Sequence, residues 1–143
     1  MAERNGVNQY IYDWNIAGTG YPHRATAVEF NDETLRDGLQ SPSARDPPIG
    51  KKIELLHLMA QLGIHGADLG LPGTGPRARA DIVELCREIQ RSKLAIVPNC
   101  AVRTTLSDVT ALIEIADLVG MPIEACTFIG SSPIRQYAEE WSL

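Results

Sequence analysis

The sequence predicts an α/β fold of about four parallel βα units. Three observations carry that expectation. Strand-like apolar segments alternate with helix-like periodicities from Ala25 onward. The run Leu94-Ala95-Ile96-Val97 is continuously apolar, as in a strand covered on at least one face. Glycines stand where two of the helical patterns stop, at Gly63 and Gly120. Two closures satisfy this pattern, an open doubly wound sheet or half of an eight-fold barrel. The chain has 143 residues, room for one core but short of the roughly 250 that a complete eight-fold barrel needs.

Taken in order, residues 1–24 read as an N-terminal extension, with Tyr10, Ile11, Tyr12 and Trp14 as an apolar cluster that packs on the exterior or on a partner subunit. The stretch 25–143 reads as one domain. Ala27 to Asn31 is the first strand. A polar, proline-bearing loop runs through Ser41-Pro42-Ser43 to Pro47-Pro48. Ile49 to Leu62 then reads as a helix, with Ile53, Leu56 and Ala60 near helical spacing and Leu55, Met59 and Leu62 widening the apolar face. Ile64 to Leu69 is the second strand. After the loop Pro72-Gly73-Thr74-Gly75-Pro76, Ala78 to Gln90 is a helix with Ile82, Leu85, Cys86 and Ile89 on one side. Leu94 to Pro98 is the third strand. Ser107 caps a helix from about Asp108 to Val119. Ile123 to Ile129 is the fourth strand, and the last ten residues begin a fourth helix carrying Tyr137 and Trp141.

Composition excludes several classes. A hydrophobic share of 44% argues against disorder. A net charge of −5 gives no electrostatic reason for nucleic acid binding. No apolar run reaches the roughly 20 residues of a membrane span, and the N-terminus lacks the apolar core of a signal peptide. Cys86, Cys100 and Cys126 are odd in number, far apart and in no metal-finger spacing, and Cys100 and Cys126 are expected as buried thiols. A cytoplasmic, reduced protein is the expectation.

The stretch Asp32-Glu33-Thr34-Leu35-Arg36-Asp37-Gly38-Leu39-Gln40 follows directly on the first strand. Ligands of parallel α/β folds sit beyond the carboxyl ends of strands. Asp37 is a hard oxygen ligand for a divalent cation. Arg36 can hold a developing oxyanion. On residue types alone, a loop ion pair with a turn at Gly38 is the plainer reading. His57 in a helix and His65 at a strand start are expected in exposed or packing roles, and Gly70 to Gly75 as a βα loop without a dinucleotide fingerprint.

DETLRDGLQSP resembles the signature of the DRE-TIM metallolyases, the family of 2-isopropylmalate, homocitrate and citramalate synthases and of 3-hydroxy-3-methylglutaryl-CoA lyase. The synthases typically read D-T-T-L-R-D-G-E-Q-S-P. LGIHGADLGLP is similar to the family's second strand, and ACTFIGSSPI to the fourth strand and following loop of the synthases. The resemblance covers about Val28 to Tyr137. It implies half of a TIM barrel and, for the parent enzyme, a metal-dependent Claisen-type condensation of acetyl-CoA with a 2-oxo acid, as in leucine biosynthesis. It implies Arg36 and Asp68 as catalytic residues, Asp37 as ligand to Mg²⁺, Mn²⁺ or Zn²⁺, and Gln40, Arg103, Thr127, Ser131 and Ser132 as substrate contacts.

Three departures stand beside these roles. Leu39 replaces the synthases' usual Glu and matches the lyase spelling. Asp68 stands where the family has Glu, and Cys126 where many synthases have His. The family completes its metal site with a His-x-His pair, which His23, His57 and His65 do not form. Metal binding is therefore expected to be weak or absent, and the condensation incomplete, in this chain. Carbon–carbon cleavage of the lyase kind and a non-catalytic half-barrel are the alternatives. A half-barrel leaves two raw sheet edges, so a homo-oligomer is expected.

Overall fold

The four strands pair in the order β1 (Asn31–Asp32), β2 (Gly66–Asp68), β3 (Val97–Arg103) and β4 (Glu124–Phe128), all parallel in one sheet. The computed structural model describes residues 27–141. The apolar cluster at Tyr10, Ile11, Tyr12 and Trp14, and His23, lie outside the described residues. Between the strands run α1 (Ile49–Leu62), α2 (Pro76–Ser92) and α3 (Leu106–Val119). The strand order decides between the two closures. A doubly wound sheet reverses its order at a switch point. Here sequence neighbours are sheet neighbours throughout, as in half of an eight-fold barrel.

The unit Val28–Phe128 carries the sheet and these three helices. Its core lies between them. Leu56 and Met59 of α1, Ile82, Leu85, Cys86 and Ile89 of α2, and Leu112 and Ile115 of α3 pack onto Ala67, Leu69, Cys100 and Val102. Cys100 and Val102 face the helices, so by strand alternation Asn99 and Ala101 face the opposite side of the sheet. Among the described residues, neither β1 nor β4 has a strand on its outer edge. No helix among them is long and apolar enough to cross a membrane.

Several boundaries differ from expectation. β1 is shorter and later than Ala27 to Asn31, because Val28 and Phe30 are exposed and only the Phe30 carbonyl, which accepts from His65 and Gly66 N–H groups, joins the ladder. β3 runs past the apolar segment, because its opposite face accepts polar side chains. Thr105, not Ser107, is the N-cap of α3, and it makes no side-chain cap bond. Leu62 is 80% exposed, outside the face that Leu56 and Met59 bury. Cys126 is exposed, whereas Cys86 and Cys100 are buried. Burial alone pushes the Cys86 thiol up to about 12.

Residues 129–141 belong to a second unit. It contains α4 (Pro133–Ala138), shorter than expected, with Tyr137 inside and Trp141 beyond the helix. Ser132 caps it by accepting from the Arg135 N–H at 3.3 Å, and the Ser131 carbonyl accepts from Gln136 Nε2 at 2.6 Å.

Candidate active site at the carboxyl ends of β1 and β2

Asp32 ends β1, and its Oδ1 accepts from the Thr34 N–H at 2.8 Å. That bond turns the chain into a π-helical turn, Thr34–Gly38, rather than the open loop expected. The Arg36 and Gly38 N–H groups both donate to the Glu33 carbonyl, at 3.1 and 3.2 Å. A wide π turn of this kind is frequent at functional sites. It buries Leu35 in the core, half-buries Arg36 and leaves Asp37 exposed.

Arg36 forms ion pairs with Asp37 and, at 3.7 Å, with Glu33. Its guanidinium carbon lies 5.5 Å from the centre of the Phe128 ring of β4, within cation–π range. Its Nε is buried and has no hydrogen-bond partner among the described residues. A buried guanidinium N–H left unpaired is costly, so it is a vacant donor for an incoming oxygen.

Asp68 ends β2 and is 3% exposed. Its Oδ1 accepts from the Gly70 N–H at 2.9 Å and the Ala101 N–H at 3.3 Å. Its Oδ2 has no hydrogen-bond partner among the described residues. Burial raises the Asp68 pKa, opposed by those two N–H groups and by the Arg36 charge, and reinforced by Asp37. The Glu33 carboxyl is also raised, first through its hydrogen bond with Asp37. Glu33, Asp37 and Asp68 thus share one arginine, and the group carries an excess of negative charge. Three of the sequence-predicted residues, Arg36, Asp37 and Asp68, are brought together here.

Gln40 and Leu39 line an open cleft of about 350 Å³ beside Arg36, which Lys52, Asp46, Asp81 and the first turn of α2 also line. Lys52 is buried, with Nζ 2.6 Å from Asp46 and 2.7 Å from Asp81. Its burial opposes the charge, yet the two aspartates raise its pKa overall. Sequence reading passed over Lys52. The available signal was its position four residues before Leu56 and seven before Met59, on the apolar face of α1.

Arg103 ends β3 and is held by Asp108 in a bidentate pair, Nε to Oδ2 at 2.7 Å and one terminal nitrogen to Oδ1 at 2.8 Å. That partner holds the Asp108 carboxyl below its ordinary value. Thr127 is paired with Val102 and is exposed near the end of β4. Ser131 and Ser132 lie in the second unit. Among the described residues, no group of three or more His, Cys, Asp and Glu side chains could hold a metal ion. His57 is bonded to Glu88 at 2.7 Å and His65 Nδ1 accepts from the Phe30 N–H at 3.2 Å, so both are structural.

A 2-isopropylmalate synthase of Streptococcus gallolyticus is 32% identical over 111 residues, 77% of this chain and 20% of the relative. A homocitrate synthase AksA of Methanopyrus kandleri is 32% identical over 104 residues, 73% of this chain and 24% of the relative. The chain is similar to these synthases. A 2-isopropylmalate synthase of Xanthomonas axonopodis pv. citri is 28% identical over 57% of the chain. The chain spans about a fifth of the length of the curated relatives it matches. No protein-family model matches it.

Proposed function

We propose that this chain supplies the first four βα units of a DRE-TIM-type catalytic barrel that condenses acetyl-CoA with a 2-oxo acid, in the manner of 2-isopropylmalate synthase and the leucine route. The observation that carries the reading is the convergence of Arg36, Asp37 and Asp68 at the carboxyl ends of β1 and β2. In the reaction a base removes a proton from the thioester methyl group. The enolate carbon then attacks the keto carbon and leaves an alkoxide, and water cleaves the thioester to release CoA. Arg36 stabilises the enolate or alkoxide oxygen through its vacant Nε–H. Asp68 takes the proton on its open Oδ2, its basicity raised by burial. Gln40 and Arg103 contact the substrate, the latter through the terminal nitrogen that Asp108 leaves free. Thr127, Ser131 and Ser132 are the remaining substrate contacts that the resemblance implies.

Asp37 is one oxygen ligand for a divalent cation, and the excess negative charge around Arg36 suits a cation. Asp37 alone does not make a site, and this chain lacks the family's His-x-His pair. The metal would polarise the keto acid once other groups complete its ligand set. The two strand edges without partners favour a homo-oligomer. Carbon–carbon cleavage is the second reading, favoured by Leu39 beside Arg36 in the cleft.

The test is a thiol-release assay with acetyl-CoA, Mn²⁺ and a panel of 2-oxo acids, run on this chain together with a separately expressed second half of a 2-isopropylmalate synthase barrel that carries the His-x-His pair, and paired with calorimetric titration of Mn²⁺ into the mixture. The expected result is CoA release that requires both halves and a 2-oxo acid and falls roughly 10²–10³-fold in Arg36→Ala, as when an oxyanion donor is lost. Mn²⁺ binding by the mixture should weaken in Asp37→Ala. Halves that associate yet bind no Mn²⁺ and release no CoA with any 2-oxo acid overturn the reading.

A further inference from the structure

We infer that Asn99 is a positioning residue for the Arg36–Asp37–Asp68 site, acting through Asn31 across the gap left by Gly66. The inference rests on the assignment of those three residues to the site. β1 pairs with β2 through only two residues, Asn31 with Gly66 and Asp32 with Ala67. So short an edge strand is a weak anchor for the turn that carries Arg36 and Asp37. A second tie crosses the sheet. Asn99 of β3, 3% exposed, donates from Nδ2 to Asn31 Oδ1 at 2.6 Å. Its Oδ1 accepts in turn from Cys126 Sγ at 3.5 Å. The chain of donors therefore runs one way, from β4 to β3 to β1, and passes over β2.

Gly66 makes the passage possible. A Cβ there would lie 2.7 Å from Asn31 Oδ1 and 3.4 Å from Asn99 Nδ2. The Asn31 amide would have to leave. The backbone of Asn99 holds the other half of the site. Its carbonyl accepts from the Leu69 N–H at 2.8 Å, next to Asp68, and Asn99 stands opposite Asp68 in the ladder. One residue thus fixes the end of β1 through its side chain and the end of β2 through its main chain. Asn31 is followed at once by Asp32, whose carboxylate starts the π-helical turn. A shift at Asn31 moves Arg36 relative to Asp68.

The direction of the donors gives a test that simple packing does not. Asn31→Asp keeps the acceptor. Asn99→Asp replaces the donor with a second acceptor, and Asn99→Leu removes both. Amide hydrogen exchange in the full chain reads the outcome at Arg36 and Gly38, whose N–H groups close the turn onto Glu33. Exchange at these two amides should quicken about tenfold in Asn99→Asp, Asn99→Leu and Gly66→Ala, as expected for one lost buried hydrogen bond, and stay within about threefold in Asn31→Asp. Amides of α2 should hold their protection. Equal effects of Asn31→Asp and Asn99→Asp overturn the inference. So does quickening spread evenly over α2, or an unmoved turn in both Asn99 variants. The thiol-release assay with both barrel halves separates the two claims. Its failure overturns the functional reading, while the exchange asymmetry still decides the role of Asn99.

Discussion

Lysine 52 is the most severe test of how this fold is held together. Its ammonium sits at 2.6 Å from Asp46 and 2.7 Å from Asp81, with a side chain only 9% exposed. Lys52→Met keeps the apolar stem and removes the charge. Breaking a buried pair by deleting one partner costs about 3–5 kcal/mol, because the other charge is left unpaired. The two aspartates differ here. Asp46 is 42% exposed and keeps Arg77 at 2.8 Å, so its share is that of a surface pair, about 0–1 kcal/mol. Asp81 is 15% exposed and retains no other cation among the described residues. Its partial access to water brings the expected total to about 2–3 kcal/mol. Urea unfolding followed by far-ultraviolet circular dichroism measures the loss. In an Asp81→Asn background the same substitution should cost less than half as much, because no charge is then stranded. The sign with pH follows from the raised lysine pKa. The contribution is present everywhere below the ordinary lysine value of about 10.4 and is lost only as pH rises through the raised one. The wild-type advantage should therefore be level from about pH 6 to 9. A Lys52→Met protein within about 0.5 kcal/mol of wild type, the scale of a surface substitution, would refute the argument.

Two further outcomes follow from the same geometry. The raised Asp68 pKa means that its neutral form favours folding, so this contribution is present below the unfolded value of about 3.9 and lost as pH rises through the folded one. Asp68→Asn should match wild type in urea near pH 3.5 and become the more stable of the two by pH 7; the opposite trend would mean that Arg36 outweighs burial. At Gly73, an added Cβ would meet the Asp108 carboxylate at 2.4–2.7 Å. Gly73→Ala should destabilise by about 1–3 kcal/mol, as overpacking does, and a melting temperature equal to wild type would show that the loop yields freely.

Much of the fold was legible because helices announce themselves by period and by punctuation. Ile49–Leu62 has the bounds its apolar spacing and Gly63 predict. α2 is two residues longer at each end, since Pro76 fits the first helical position and the polar Arg91 and Ser92 give no signal of their own. Strands were harder. The apolar run predicts β3 over Leu94 to Pro98, whereas the strand is Val97–Arg103. Leu94 and Ile96 do pack on the core, but they precede the ladder. What makes Asn99 and Arg103 strand residues is pairing with neighbouring strands, on both sides for Asn99 and with Phe128 for Arg103, which no local hydrophobicity records.

The same distinction runs through the site. Arg36 and Asp37 stand out because a cation and an anion of the right kind follow a strand, whereas Asp68 is marked only by the resemblance of LGIHGADLGLP to the family's second strand. Asn99, Asn31 and Gly66 carry no such mark. An asparagine in a strand reads as an accident of composition, and a glycine there as a weakness. Their meaning exists only once β1 and β3 are brought to either side of β2, placing residues 68 positions apart within 2.6 Å. Lys52 is an intermediate case, since its place on the apolar face of α1 was visible but its two aspartates, one in the preceding loop and one in α2, were not. The candidate groups of this site are thus set by short stretches of sequence. The groups that hold them at a fixed separation are set by the order of the strands.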